Sequence, residues 1–165
     1  LLNSEYKHYL SKDGLDITFH RYNTRDFWGR AQGENVARVT SPGDTVFVYG
    51  NDAAIYYYSK RTCASRYTMI TGLHPRIRGA RDRQQVLLNE LRAHPPRLII
   101  DIERAFEGWT EFLLEKYDPV GADFNDVTNK PIMAIFARKD APIESIDWNW
   151  DRSQVAPKKK PGVHD

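Results

Sequence analysis

Residues Asp44–Tyr67 read DTVFVYGNDAAIYYYSKRTCASRY, and their pattern predicts the class of fold. Thr45–Tyr49 is a short run of β-branched and aromatic residues, which is typical of a strand buried on both faces. Gly50 permits a sharp turn, and Asn51 or Asp52 can cap the helix that follows. A buried strand, a glycine turn and a capped helix in this order open an α/β fold.

The rest of the chain continues this alternation of strands and helices. Helices are predicted at 24–39, 80–93 and 108–117, and further strands at 66–71, 97–102 and 131–137, with a turn-rich segment at 118–130. Right-handed crossovers between successive strands then predict a three-layer, Rossmann-like α/β fold. We expect a mainly parallel sheet of about four to five strands with helices on both faces.

The chain of 165 residues is expected to form one α/β domain, at residues 24–137. Residues 1–23 predict an irregular lead-in, and 138–165 a polar, partly disordered C-terminal tail. Because the first residue is leucine, we expect the lead-in to follow an N-terminal part that is missing here.

Composition argues against several functions. The 24 basic and 22 acidic residues are interspersed, so we expect no nucleic-acid partner. Cys63 is the single cysteine, and the five histidines show no metal-binding spacing, so no metal site is predicted. Gly50 alone does not make the glycine pattern of a dinucleotide site, and no cofactor is predicted.

Five polar residues are candidates for ligand binding. Asn51 and Asp52 follow the predicted central strand and Asp101 lies at the end of another, and open α/β sheets bind ligands at these strand ends. They could hold a sugar hydroxyl, a metal or a ribose; alternatively, Asp52 caps a helix and Asp101 closes a strand. Arg61 and Arg66 make the next turn basic, which suits lipid phosphates or an anionic acceptor, or ordinary solvation.

Several short pieces resemble a known family when taken in order. They are Pro42-Gly43-Asp44 before Val46-Phe47-Val48, then Gly50-Asn51, Ile55-Tyr56-Tyr57, Ala64-Ser65-Arg66-Tyr67, and Pro95-Pro96-Arg97-Leu98-Ile99-Ile100. The pattern resembles the soluble C-terminal domain of bacterial polytopic glycosyltransferases of the protein-mannosyltransferase and aminoarabinose-transferase type. The resemblance covers about residues 24–137 and consists of core and turn positions rather than a catalytic signature.

This resemblance implies a parent protein in the bacterial inner membrane, with the present domain on the periplasmic side. The partners would be membrane helices of the same polypeptide and a polyprenyl-phosphate-sugar donor or its acceptor. The family's catalytic acidic residue lies in a loop between early membrane helices, and no position here matches that loop. No catalytic residue is therefore assigned, and the fragment is expected to be a non-catalytic accessory domain of a glycosyltransferase.

Two other functions stay open at this point. One is a stand-alone soluble nucleotide- or sugar-binding protein or enzyme with its site near Gly50–Asp52 and Asp101. The other is an interaction module that docks through an aromatic surface around Trp28 or the tyrosines 56–58. Because three consecutive helical residues point in different directions, at least one of these tyrosines must be exposed or packed against a neighbouring element.

Overall fold

The computed structural model describes residues 24–103, 106–124, 131–144 and 146–148. The chain divides into two compact units, Leu1–Trp28 with Trp150–Asp165, and Gly29–Asn149. Of the first unit only residues 24–28 are described, as the start of a helix. The predictions for residues 1–23 and for the end of the C-terminal tail lie outside the described residues.

The described ranges contain four α-helices and five strands. The helices are α1 (Thr24–Val39), α2 (Ala54–Ser59), α3 (Ala80–Ala93) and α4 (Trp109–Lys116), and a 3-10 helix covers Thr71–Leu73. The strands are β1 (Thr45–Tyr49), β2 (Thr62–Cys63), β3 (Leu98–Asp101), β4 (Tyr117–Phe124) and β5 (Pro131–Arg138).

The five strands form one mixed sheet in the order β2-β1-β3-β5-β4. Strand β1 is parallel to β2 and β3, whereas β5 is antiparallel to both β3 and β4. The longest ladder, with seven residue pairs, joins the antiparallel strands β4 and β5. The prediction of a three-layer, mainly parallel, Rossmann-like sheet is therefore wrong.

Strand β4 explains this error. Its sequence, YDPVGADF, contains aspartate, proline and glycine, which are depleted in strands, so the segment was predicted to be turns. It lies at the edge of the sheet, where proline is tolerated, and its pairing shifts register between Pro119 and Gly121. Helix α4 carries the chain from β3 to β4 in the same direction, leaving room for one strand. Strand β5 then fills that gap in the opposite direction.

The strand predicted at 66–71 is also wrong. The second strand is the two-residue β2, and residues 71–73 form the 3-10 helix. Met69 is 51% exposed, and the backbone N–H of Ile70 donates to the Asn51 side chain instead of to a neighbouring strand. The apolar composition of this segment reflects packing of Ile70 in the core and not strand pairing.

One face of the sheet packs against α3 and α4. Phe47 and Tyr49 of β1 share a buried cluster with Ile99 of β3. From the helices and their flanks the cluster includes Leu87, Leu88, Leu91, Phe106, Trp109, Phe112, Leu113 and Tyr117. These helical residues recur three and four positions apart, so the predicted apolar faces of α3 and α4 are confirmed.

Two glycines allow close packing elsewhere in the fold. A Cβ atom at Gly33 of α1 would lie 2.7 Å from Tyr58 Cβ and 3.0 Å from the Ile55 carbonyl oxygen, so α1 and α2 touch through their backbones. At Gly121 a Cβ would lie 2.0 Å from Trp148 Cδ1. Trp148 is buried in the segment for which the sequence predicted a polar tail, and its carbonyl accepts the Gln32 side-chain amide at 3.0 Å.

Candidate functional site

Because β1 and β3 are parallel neighbours, their carboxyl ends lie side by side at one end of the strands. Tyr49 is paired directly with Asp101 in the ladder, and the backbone N–H of Ile102 donates to the Tyr49 carbonyl at 3.0 Å. A Cβ atom at Gly50 would lie 3.0 Å from Ile102 Cβ, so glycine lets the two strands leave the sheet side by side. Asp101, the last residue of β3, and Asn51, which follows β1, therefore lie at the ends of neighbouring strands.

Asp101 is a partly buried carboxylate with unequal oxygens. Its Oδ2 accepts the indole N–H of Trp109 at 3.0 Å, while no donor among the described residues reaches the buried Oδ1. Burial raises the pKa of Asp101, the hydrogen bond from Trp109 lowers it, and the charge of Glu103 raises it, to a net value of about 6. The carboxyl can therefore change its charge near neutral pH.

Aromatic rings form the surroundings of this carboxylate. The Tyr49 ring lies 4.7 Å from that of Trp109 and 5.6 Å from that of Phe106, between centroids. Burial, followed by the charges of Asp101 and Glu103, raises the pKa of Tyr49 to about 12. Tyr49 thus stays a neutral phenol, and the Trp109 indole holds the Asp101 carboxyl in one orientation.

Asn51 fixes a neighbouring loop. Its side-chain oxygen accepts the backbone N–H of Ile70 and the hydroxyl of Thr71, both at 3.1 Å. These bonds join the turn after β1 to the start of the 3-10 helix. The side chain of Asn51 therefore already has a structural task.

Asp52 lies against helix α1. The residue is 6% exposed, and its Oδ1 is 2.7 Å from where a Cβ at Gly29 would be. Helix α2 begins at Ala54 and has Ala53 as its N-cap, with no side-chain capping bond. Asp52 is therefore a buried residue that packs on α1, and not the cap of α2.

Arg61 closes the carboxyl end of α1. Its guanidinium donates to the carbonyl oxygens of Ala37 at 3.1 Å and of Thr40 at 2.6 Å, and its Nε donates to the Thr40 hydroxyl at 2.9 Å. It also donates to the Ser59 carbonyl at 2.9 Å. Carbonyls at a helix end lack partners within the helix, so Arg61 supplies bonds that the fold needs.

Arg66 is paired with Glu90 of α3. Its Nε forms an ion pair with Glu90, and its backbone N–H donates to the same carboxylate at 3.3 Å. The hydroxyl of Ser65 donates to Glu90 at 2.7 Å. Burial raises the pKa of Glu90, but the bonds from Ser65 and Arg66 outweigh it and hold the pKa below its usual value. The basic turn is thus anchored to α3.

The five candidate residues therefore contact different parts of the fold. Asn51 and Asp101 lie at the carboxyl ends of β1 and β3, whereas Arg61 and Arg66 bond to α1 and α3 respectively. Arg61 bonds to Ala37 and Thr40, and Arg66 to Glu90, across 21 to 24 residues of sequence, so local patterns could not identify these partners.

A groove that sequence reasoning did not identify lies between α3 and the segment before α4. It has a volume of about 360 Å³ and is called the α3–α4 groove below. Arg81, Gln84, Gln85 and Arg92 line one side, and Phe106–Gly108 lines the other. The signal present in the sequence was a polar face on α3, because Gln84, Gln85 and Arg92 lie three, four and eleven residues after Arg81.

Comparisons with known proteins add no identification. No protein-family model, no curated protein and no solved structure matches this chain. The resemblance to membrane glycosyltransferases therefore depends on the residues quoted for it.

The described ranges also lack two kinds of feature. They contain no group of three or more histidine, cysteine or acidic side chains that could hold a metal ion. Nor does any of their helices have the length and apolar character needed to cross a bilayer.

Proposed function

We propose that this chain is a non-catalytic accessory domain of a bacterial membrane glycosyltransferase, lying on the periplasmic side of the inner membrane. The parent would transfer a sugar from a polyprenyl-phosphate donor, and the domain would rest against the anionic lipid surface beside it. The resemblance of residues 24–137 supports the family, and one surface feature supports the orientation.

That feature is the basic loop, His74–Gly79, with the sequence HPRIRG. Ile77 is 45% exposed between Arg76 and Arg78, which are also exposed. Neither arginine forms an ion pair with another residue in the described part of the chain. An apolar side chain flanked by cations can enter the boundary between lipid headgroups and acyl chains while the cations meet lipid phosphates.

Contacts from α3 hold the basic loop in shape. Arg83 donates to the carbonyl of Gly72 at 2.7 Å and to that of Arg78 at 2.6 Å. Within the loop, the Ile77 N–H donates to the His74 carbonyl at 2.8 Å. A surface that is ordered before binding loses less conformational entropy on contact with a membrane.

Other contacts support an accessory role for this domain. Asn51, Arg61 and Arg66 bond to a loop, to the end of α1 and to α3, so these polar side chains contribute to the scaffold. A scaffold with an ordered basic surface suits a domain that positions a membrane-embedded enzyme.

Vesicle sedimentation of the 165-residue chain tests the membrane contact. We expect binding to vesicles containing phosphatidylglycerol and none to phosphatidylcholine alone. Each arginine near an anionic surface contributes about 1 kcal/mol, so Arg76→Gln with Arg78→Gln should weaken binding about thirtyfold. Ile77→Ser should weaken it further.

Matched controls separate the loop from general charge. Arg38→Gln with Lys116→Gln removes the same charge from exposed positions on α1 and α4, and Leu114→Ser removes an apolar group that is more exposed than Ile77, at 61% against 45%. These variants should bind as the unmodified chain does. Equal losses in loop and control variants, or binding that follows Lys158–Lys160 instead, would refute the role of the loop.

The absence of intrinsic transferase activity is the second test. The purified chain, incubated with a polyprenyl-phosphate-linked sugar and an acceptor lipid, should transfer no radiolabelled sugar. Sugar transfer by the isolated chain would show that the fragment contains its own catalytic centre and would end the accessory-domain proposal.

A second function is favoured by the buried Oδ1 of Asp101. An unsatisfied carboxylate oxygen at the carboxyl end of β3 could accept a hydroxyl from a sugar or a nucleotide ribose. The chain would then be a stand-alone ligand-binding protein or enzyme. A thermal-shift screen against sugars, nucleotides and divalent metals tests this, because a ligand of the native state raises the melting temperature and Asp101→Asn should abolish the rise.

A further inference from the structure

We propose that the α3–α4 groove binds an acidic saccharide, meaning a short sugar chain that carries carboxylate or phosphate groups. The groove uses residues other than Arg76, Ile77 and Arg78 of the basic loop. The inference therefore stands whether or not the domain contacts a membrane.

The first argument is the arrangement of charge along α3. Arg81 and Arg92 both line the groove and are eleven residues apart. At 1.5 Å per residue, their Cα atoms are separated by about 16 Å along the helix axis. Two arginines separated in this way along one helix suit an elongated ligand bearing more than one anionic group.

Both arginines are available for such a ligand. Among the residues that the structure describes, neither Arg81 nor Arg92 takes part in an ion pair. The guanidinium of Arg92 lies 5.8 Å from the centroid of the Phe112 ring, a cation–π contact that orients its planar group. Guanidinium groups bind carboxylates and phosphates through two parallel hydrogen bonds.

The middle of the groove offers neutral polar groups. The Gln84 amide donates to the Leu73 carbonyl at 2.7 Å, and that of Gln85 donates to Asn89 Oδ1 at 3.0 Å. Each glutamine has one N–H engaged in this way, and its carbonyl oxygen can accept a hydrogen bond from a hydroxyl group. Hydroxyl groups are what the neutral part of a saccharide provides.

Apolar atoms complete the lining. Leu88 and the ring of Phe106 belong to the wall of the groove, and both residues are largely buried. Small-molecule sites combine such apolar walls with a few polar groups and have volumes of about 300–1,000 Å³. The 360 Å³ of the α3–α4 groove lies in that range.

The charge balance selects against cationic ligands. Glu107 is the single acidic residue in the lining, against two arginines. Helix α4 starts at Trp109, directly after Gly108 in the wall, so the positive end of its dipole adds to the field of Arg81 and Arg92.

Isothermal titration calorimetry of the 165-residue chain tests the inference with trigalacturonic acid as the probe. We expect saturable binding of this acidic trisaccharide and none of maltotriose, which is neutral and of the same length. Phosphatidylcholine vesicles that display a glucuronosyl glycolipid form a second arm, measured with Arg76→Gln and Arg78→Gln in place so that the basic loop does not contribute. Preference for one arm identifies the source of the saccharide as soluble or lipid-borne.

Single substitutions locate the binding. Arg81→Gln and Arg92→Gln should each weaken the binding of trigalacturonic acid about tenfold or more, because each removes a charge-assisted pair. Arg92→Lys should restore part of the affinity, since it keeps the charge and loses the planar fork. Arg76→Gln, which removes the same charge outside the groove, should leave affinity within about twofold.

Three results would overturn the inference. They are failure of trigalacturonic acid to bind, equal binding of maltotriose, or equal losses in Arg76→Gln and the two groove variants. Circular dichroism of each variant shows whether it is folded, and Arg92→Lys tests the site if Arg92→Gln is not. Loss of vesicle binding by the basic-loop variants leaves this outcome unchanged, so the two proposals can fail separately.

Discussion

The hydroxyl of Tyr56 accepts the backbone N–H of Val48 at 2.8 Å. Strand β2 has only two residues, and the last backbone bond from its side of the sheet runs from Ala64 to the Val46 carbonyl. A side chain of α2 therefore satisfies the next donor of β1, where a longer strand would have done so. The thiol of Cys63 donates to the same hydroxyl at 3.2 Å.

Removing that hydroxyl should destabilise the fold. Tyr56→Phe leaves a buried Val48 N–H without its acceptor, which costs about 1–3 kcal/mol in the free energy of unfolding. Urea denaturation measures the difference. Tyr57→Phe is the matched control, because Tyr57 is 76% exposed and its substitution should change stability by less than about 0.5 kcal/mol. Equal effects of the two substitutions would contradict the role of Tyr56.

The exposure of Tyr57 also confirms that the three tyrosines are not all in the core.

Asp101 should make stability depend on pH. Its pKa is about 6 in the folded chain against 3.8 ordinarily, so between these values the folded state holds the proton more tightly. Stability relative to Asp101→Asn should therefore fall as the pH rises from about 4 to about 7, by about 2–3 kcal/mol.

Nuclear magnetic resonance of the Asp101 side-chain carbon measures the pKa directly, and urea denaturation at both ends of the range measures the stability difference. A titration midpoint near pH 4, or a stability difference that stays constant with pH, would show that the surroundings of the Asp101 carboxyl do not disfavour its charged form.

Arg61 should stabilise the end of α1 through its fork of donors. Arg61→Met removes the bonds to the Ala37, Thr40 and Ser59 carbonyls, and hydrogen bonds from charged donors support a loss of about 2–3 kcal/mol. Arg61→Lys should recover less than half of this, because a single ammonium cannot reach all three. Arg38→Met, at an exposed position of the same helix, should be close to neutral in urea denaturation. An unchanged free energy of unfolding in Arg61→Met would show that solvent satisfies these carbonyls equally well.

Gly33 should be required for the contact between α1 and α2. In Gly33→Ala the new methyl group meets Tyr58 and the backbone of α2, and overpacking costs about 1–3 kcal/mol despite the better helix propensity of alanine. Gly43→Ala is the control, since nothing lies within 4 Å of a Cβ there. The melting temperature should fall for Gly33→Ala only. A rise would mean that helix propensity outweighs the close approach.

Local patterns predicted the elements whose own apolar residues have the spacing of a helix face or a buried strand. The apolar faces of α3 and α4 and the strands β1 and β3 follow directly from the spacing of leucines, isoleucines and aromatic residues. Strand β4 was missed because its place at an edge tolerates Pro119 and Gly121. The direction of β5 depends on β4, so that single omission changed the fold class.

The candidate residues show a second limit of local patterns. Asn51, Arg61 and Arg66 were polar residues in the expected places, but bonds to Ile70, Thr40 and Glu90 give each a structural partner. Such partners come from tertiary packing, which spacing along the chain does not reveal. Asp101 differs. Its place at the end of a strand could be predicted, but the lack of a hydrogen-bond donor for its Oδ1 among the described residues could not.

The two edges of the sheet bear on behaviour at high local concentration. On one side β2 offers two residues, and the phenol of Tyr56 already occupies the next donor of β1. On the other, β4 presents a proline without an N–H group and a pairing that slips twice. At high local concentration, the described strands therefore offer no long, regular edge on which copies of the chain could polymerise.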